Sequence, residues 1–243
     1  GMYQLGGYPM YLNSNDMQLG RGESIKDTAR VLSRYLDGLM IRTFEQSKVE
    51  ELAKYATIPI INGLTDEYHP CQILADLMTV KERKNKLEGL KVAFIGDGNN
   101  IANSFIVAAL KLGMKFTLAC PEGYEPLDEV LEFALGNDDF RLVRDKRKAA
   151  QDADVIVTDV WTSMGQEEEA KKRLLDFSGY IIDENLMTLT NPNCIVQHCL
   201  PAHKVEEISE GVFESHAEEI FDEAENRLHV QKAVMVKLMA SHK

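Results

Sequence analysis

No run of the roughly 18 to 20 uninterrupted apolar residues that a bilayer-spanning helix needs occurs in the 243 residues, although 44% of them are apolar. A membrane-spanning helix is not expected on that ground, and the apolar content argues against wholesale disorder. Cysteine is sparse, with only Cys71, Cys120, Cys194 and Cys199. No signal-peptide pattern precedes them, so reduced thiols in a cytoplasmic setting are expected rather than a disulfide framework. Cationic excess is missing too: 27 Lys and Arg stand against 39 Asp and Glu, a net charge of −12. The basic runs 81–86, 144–148 and 171–173 are short and interleaved with acids. They read as solvated helix faces, and a nucleic-acid-binding surface is not expected. There are no internal repeats or low-complexity tracts. Gly1 ahead of Met2 reads as a cleavage scar, with Met2 the native start.

What is present is an alternation of strand and helix signals. Ser24 reads as the N-cap of a helix reaching Tyr35, whose apolar residues recur at helical spacing. Strand signals at 38–43 and 58–61 flank a helix at 47–56, and a loop leads into a helix at 71–86. The clearest buried strand is Leu90–Gly98, followed by a helix at 100–112 and a strand at 115–119. Further short apolar strands are expected at 154–158, 180–182 and 194–197, and an amphipathic helix at 225–239 closes the chain. Strands alternating with helices of this length imply βαβ units and parallel sheets. The expected fold is therefore α/β, with two parallel-sheet domains, a boundary in the helix near 71–86, and a cleft between the domains.

Four segments carry candidate chemistry. Gly96-Asp97-Gly98-Asn99-Asn100 turns from a strand into a helix, but Ile101 stands where a dinucleotide fingerprint needs its third glycine. Asn100 at a helix N-terminus suits a ligand carboxylate; Asn99 or Asn100 as a plain N-cap explains one of the two equally well. In His69-Pro70-Cys71-Gln72, the imidazole and the amide sit on an opening helical turn, placed to polarise a carbonyl group. A purely structural histidine is the competing reading. Asp159 to Gly165 follows the strand at 154–158, where open α/β sheets bind ligands. An anionic Asp159 there suits an ammonium group, or simply forms a turn. The segment Cys194 to His203 is dense in Cys and His, yet it lacks the standard zinc spacings and contains a strand, so no metal is expected. Cys199 before Leu-Pro reads instead as a substrate-facing thiol.

In order and spacing, these motifs, together with Glu225-Asn226-Arg227 and Asp16-Met17-Gln18, resemble the ornithine carbamoyltransferases over essentially all of residues 2–243. The resemblance implies two transcarbamoylase-like α/β domains: 2–80 joined by the C-terminal helix 225–243 for carbamoyl phosphate, and a Rossmann-like 81–224 for ornithine. It implies transfer of the carbamoyl group to the side-chain amine of ornithine, giving citrulline and phosphate, with no cofactor. Arg42, His69 and Gln72 match residues that hold carbamoyl phosphate and are suited to stabilise the developing oxyanion, and Arg227 matches another carbamoyl phosphate contact. Gln18 matches a residue that reaches a neighbouring subunit of a homotrimer. Asn100, Asp159, Ser163 and Met164 match the ornithine α-group contacts, and Cys199 with the Leu200 carbonyl matches the pair near the reacting amine. Arg42, His69, Cys199 and Arg227 are the catalytic set so implied.

The sequence departs from this pattern in one respect. The family's phosphate loop, Ser-Thr-Arg-Thr-Arg, occurs nowhere in the 243 residues. The expectation is a first domain incomplete at its N-terminus, and impaired turnover. The alternatives are a non-catalytic amino-acid-binding or interaction protein derived from the enzyme, a putrescine or acylornithine carbamoyltransferase, and, weakened by Ile101, a nicotinamide-linked dehydrogenase.

Overall fold

The structure is a computed structural model that describes residues 1–13, 22–162 and 167–240. The chain divides into two compact units, residues 1–71 with 227–243, and residues 72–226. Gln18, Ser163 and Met164 lie outside the described residues.

In the first unit, α1 (Ile25–Leu32) is capped by Ser24, whose hydroxyl accepts from the Asp27 amide. It packs against α2 (Gln46–Tyr55), which buries Val49 and Leu52. Strands β1 (Leu39–Arg42) and β2 (Ile60–Leu64) pair in parallel. Their register slips between Ile41 and Arg42, so that Arg42 stands opposite Leu64. Such irregularities re-aim a side chain where a strand ends, and this one falls at Arg42.

The second unit carries the larger sheet. β3 (Lys91–Ile95), β4 (Lys115–Ala119), β5 (Phe140–Val143), β6 (Val155–Thr158) and β7 (Ile195–His198) are all parallel, in the order β5-β4-β3-β6-β7. Strands β3, β6 and β7 are almost continuously buried, as a sheet covered on both faces requires. The order reverses between β3 and β6, and this is the place where open α/β sheets bind ligands, beyond the strands' carboxyl ends. Helix α4 (Asn100–Lys111) crosses from β3 to β4, and α5 (Asp128–Leu135) and α6 (Lys146–Ala150) follow β4 and β5. Then come α7 (Ala170–Asp176), α8 (Glu184–Met187) and α9 (Glu210–Ser215). α3 (Pro70–Lys84) and α10 (Ala217–Ala240) are the two helices inside which the unit boundaries fall.

Two strand expectations change. Residues 180–182 are not a strand of the sheet: Ile182 makes a single bridge to Ile208, because Asp183 immediately caps α8 by accepting from the Leu186 amide. Conversely, β5 is a strand that no apolar run announced, since its Arg141 is exposed at the sheet edge.

Candidate functional site

The second unit builds a polar cluster at the switch point, from the turns after β3, β6 and β7. Gly96 leaves β3 with φ +150°, which favours glycine, and its amide donates to Ala119 O at 3.0 Å. Gly98 lies so close to the backbone of residues 124–126 that a Cβ would come within 2.4 Å of Pro126 N. That space belongs in a dinucleotide fold to a pyrophosphate; here the protein's own chain fills it, which removes the physical basis of the dehydrogenase alternative.

Asn99 is the N-cap of α4, its Oδ1 accepting from the amides of Ile101 and Ala102 at 3.0 and 3.2 Å. Asn100 is the first helical residue, with its carbonyl accepting from Ser104 Oγ at 2.8 Å. The amide of Asn99 then donates from Nδ2 to Asp159 Oδ2 at 2.8 Å, and the Asp159 Oδ1 accepts from the Val160 amide at 2.8 Å and from the Cys199 thiol at 3.0 Å. One carboxylate thus joins the ends of β3, β6 and β7. Cys199 is held as a thiol: desolvation of its sulfur pushes its pKa well above the usual range, and the Asp159 charge adds to this. Replacing Asn99 with alanine is expected to cost about 1 kcal/mol through the lost cap and to lower the melting temperature by roughly 2–4 °C. A thermal scan that matches wild type would show the cap to be dispensable.

The end of β7 orients the turn at Leu200. The Leu200 amide donates to His198 Nδ1 at 2.9 Å, so the proton of this imidazole sits on Nε2, 3.1 Å from Glu207 Oε1. Leu200 itself has φ +56° and precedes a cis peptide to Pro201. Deeper in the same unit, Gln72 Nε2 donates to Asp76 Oδ1 at 2.8 Å and to Glu223 Oε1 at 2.9 Å. Both amide hydrogens of Gln72 are therefore committed to carboxyl groups. Beside the cluster, the buried Asp97 pairs with the buried Arg173, whose Nε also donates to Trp161 O at 2.5 Å. Burial pushes the Asp97 carboxyl up to about 6 despite that pairing, with the Asp159 charge contributing.

The first unit holds a separate cationic group. Thr65 and Tyr68 close a tight turn, with the Thr65 amide donating to Tyr68 O at 2.8 Å and the Tyr68 amide to Thr65 Oγ1 at 3.0 Å. The turn sets His69 just before α3. Burial first, and then the nearby charges of Arg227 and Arg42, lower the His69 pKa to about 3. Two guanidiniums and a neutral imidazole thus act on one another in this unit, an arrangement suited to an oxygen anion. With the Gln231 amide turned so that its oxygen faces Arg227, it accepts from Nε at 2.5 Å and Nη2 at 2.9 Å, fixing the guanidinium along α10.

Among the described residues, one group could hold a metal ion: His203, Glu206 and Glu207, with ligand atoms within 4.8 Å of one another. Several of its ligand atoms are already engaged within the protein, while Glu207 Oε2 is buried without a hydrogen-bond partner among the described residues. His203 Nδ1 faces Glu206 Oε2 at 3.4 Å, and Glu207 Oε1 accepts from the His203 amide at 2.5 Å and from His198.

Asn99, Asp97, Arg173, Asp76 and Glu223 were not singled out in the sequence as site residues. Asn99 was legible as a cap, and Gln72 and Asp76 as neighbours four apart on a helix. Asp97 and Arg173 meet across 76 residues with no local signal.

Residues 1–82 match the family described as Aspartate/ornithine carbamoyltransferase, carbamoyl-P binding domain, and residues 88–238 match its Asp/Orn binding domain. The chain is 54% identical over 241 residues to the ornithine carbamoyltransferase of Geobacter metallireducens, covering 98% of this chain and 80% of that protein. It is 52% identical over 248 residues to that of Thermococcus kodakarensis, covering 100% and 79%. Among solved structures, the ornithine carbamoyltransferase from Pyrococcus furiosus superposes with a TM-score of 0.92 at 49% identity, over 98% of this chain and 78% of that one. The anabolic enzyme from Campylobacter jejuni gives 0.93 at 43%, over 98% and 81%. With both family domains matched in order and half of its residues shared with named enzymes, this chain belongs to the aspartate/ornithine carbamoyltransferase family, on its ornithine branch.

Proposed function

We propose that the residues of the two units divide the carbamoyl transfer reaction between them, with the Asp159-centred cluster at the sheet's switch point as the observation that carries the assignment. Residues 2–80 with helix 225–243 take carbamoyl phosphate, and residues 81–224 take ornithine. Arg42 and Arg227 supply positive charge to the phosphate and carbonyl oxygens. His69, kept neutral, donates a hydrogen bond to the carbonyl oxygen without surrendering a proton. Gln72 helps to hold the carbamoyl phosphate.

With both substrates bound, the neutral side-chain amine of ornithine attacks the carbonyl carbon. Negative charge collects on the carbonyl oxygen, the bond to the phosphate oxygen breaks, and phosphate leaves with the electron pair and takes up the proton that the amine nitrogen loses. Preorganised donors toward such an oxyanion are commonly worth several kcal/mol. Asp159 receives the α-ammonium group, with Asn100, Ser163 and Met164 as its companions around the α-groups. Cys199, held as a thiol, and the Leu200 carbonyl position the reacting amine. A homotrimer in the cytoplasm, with Gln18 reaching a neighbouring subunit, completes the reading; among the described residues no helix is long and apolar enough to cross a membrane.

The test is citrulline formation from carbamoyl phosphate and ornithine, run beside putrescine, N-acetylornithine and aspartate. Ornithine is expected to be the substrate, and comparable turnover with putrescine, which has no α-carboxylate, would overturn the α-group assignment. The same assay on a polypeptide extended upstream of Met2 by a Ser-Thr-Arg-Thr-Arg loop is expected to run faster than on these 243 residues. Equal rates would show that phosphate needs no such loop.

A further inference from the structure

The stretch 141–148 holds five cations, and among the described residues only two of them sit in an ion pair. Arg144 pairs with Glu125, and Lys146 lies 3.3 Å from Asp183 Oδ2 while donating to Ile181 O at 2.5 Å. Arg141, Arg147 and Lys148 are exposed and form no ion pair within 4.0 Å among the described residues. All three line one cavity of about 440 Å³.

The fold explains how they converge. Parallel pairing of β4 with β5 sets Arg141 beside Thr117, and Val143 lies two residues on, on the same face of the edge strand. Helix α6 buries Ala149 and Ala150 in the core beneath it, which turns Arg147 and Lys148 outward over that face. Val143 and Leu189 supply apolar wall, and the Thr117 hydroxyl and Gln151 amide supply neutral hydrogen-bonding groups.

Three uncompensated cations around one concavity repel each other, and clefts lined by one sign of charge concentrate counter-ions of the other. In a chain of net charge −12, this is a local reversal of sign. The volume falls within the range of ligand pockets, about 300–1,000 Å³. We propose that this cavity is a second ligand site, for a small polyanion that carries two or more phosphate or carboxylate groups. The site shares no residue with either substrate assignment and does not depend on them.

The test is a chemical-shift titration of the isotopically labelled protein with pyrophosphate and, separately, with citrate. Saturable shifts are expected at the backbone amides of Thr117, Val143, Gln151 and Leu189. Saturation by pyrophosphate alone assigns phosphate recognition, by citrate alone polycarboxylate recognition, and by both the shared polyanion chemistry. The double variant Arg141→Gln/Arg147→Gln should weaken binding by roughly 10- to 100-fold, the loss of two charge-assisted contacts. Lys171→Gln, an exposed cation on another helix, should leave it unchanged. The substituted side chains are exposed, so folding is retained, and an unchanged melting temperature verifies it. Shifts at these amides that stay linear to high concentration, or that saturate equally in the double variant, overturn the proposal.

Discussion

Replacing Asp159 with alanine should weaken norvaline binding by at least about 100-fold, the loss that goes with removing one partner of a buried charge pair. Norvaline carries the α-ammonium and α-carboxylate of ornithine but no side-chain amine. Its response therefore locates Asp159 at the α-groups, separately from the reacting nitrogen. The geometry supports a large effect. The Asp159 carboxylate is already fixed by three donors, Asn99 Nδ2, the Val160 amide and the Cys199 thiol, so an arriving ammonium meets an oriented anion with little ordering left to do. Alanine removes the charge and also leaves the Asn99 amide and the thiol without their acceptor. Asp159→Asn preserves the volume and one acceptor oxygen while removing the charge, and it should fall between the two. Calorimetry with norvaline, in the presence of carbamoyl phosphate, reads the series directly. Equal affinity for wild type and both variants would end the assignment, and a matched melting temperature for Asp159→Asn separates lost binding from lost folding.

Position along the chain made Asp159 and Cys199 visible in advance, because each follows a short apolar strand in a βαβ pattern and ligands gather at such strand ends. The turn at Gly96–Asn99 was visible for the same reason. What stayed hidden is what depends on tertiary neighbours. β5 carries an exposed arginine at the sheet edge and offers four residues of mixed polarity, too few for periodicity to decide. Residues 180–182 present an apolar run like a strand's, yet Tyr180 packs edge-on against Phe177 with ring centroids 6.0 Å apart, and Ile182 serves the core beside a helix cap. C-terminal helix signals began at residue 225, whereas α10 begins at Ala217, because the acid-rich turns preceding 225 bury only Ile220 and Glu223. Among the site residues, the partners of Gln72 show the same limit. Asp76 is one helical turn away and legible, but Glu223 lies 151 residues away, and no local pattern points to it.

That distant partner should be among the most sensitive positions in the second unit. Glu223 is 1% exposed, and its two oxygens serve separate donors: Oε1 accepts from Gln72 Nε2 at 2.9 Å and Oε2 from the His198 amide at 3.0 Å. Asp76 shares the Gln72 amide, and its backbone carbonyl accepts from Gln197 Nε2 at 2.9 Å. Through these bonds α3, α10 and the end of β7 meet in one network. Two buried carboxyl groups on a single amide nitrogen do not both stay ionised, and Glu223 is pushed well above the usual carboxylate range, by desolvation first and then by the Asp76 charge. Glu223→Leu strands the His198 amide and one hydrogen of Gln72. At roughly 1–3 kcal/mol for each buried unsatisfied group, the loss is about 2–6 kcal/mol, or on the order of 5–20 °C in melting temperature. Glu223→Gln keeps an acceptor oxygen and can donate to Asp76, so it should lose less. Its pH dependence identifies the shared proton. A raised native pKa means that the folded protein holds a proton that the unfolded chain releases near the ordinary glutamate value of 4.5. Wild-type stability therefore declines as pH climbs above that value toward the raised one, by up to about 1.4 kcal/mol per pH unit. A glutamine has no such proton, so the deficit of Glu223→Gln should shrink as pH rises through the window above 4.5 and the wild-type contribution falls. Urea midpoints at three pH values across that window measure both effects. A Glu223→Leu loss under about 1 kcal/mol, below the cost of even one stranded donor, or wild-type and Glu223→Gln curves that run parallel, would mean that the two carboxyls share no proton and that the network does not hold Gln72 against β7.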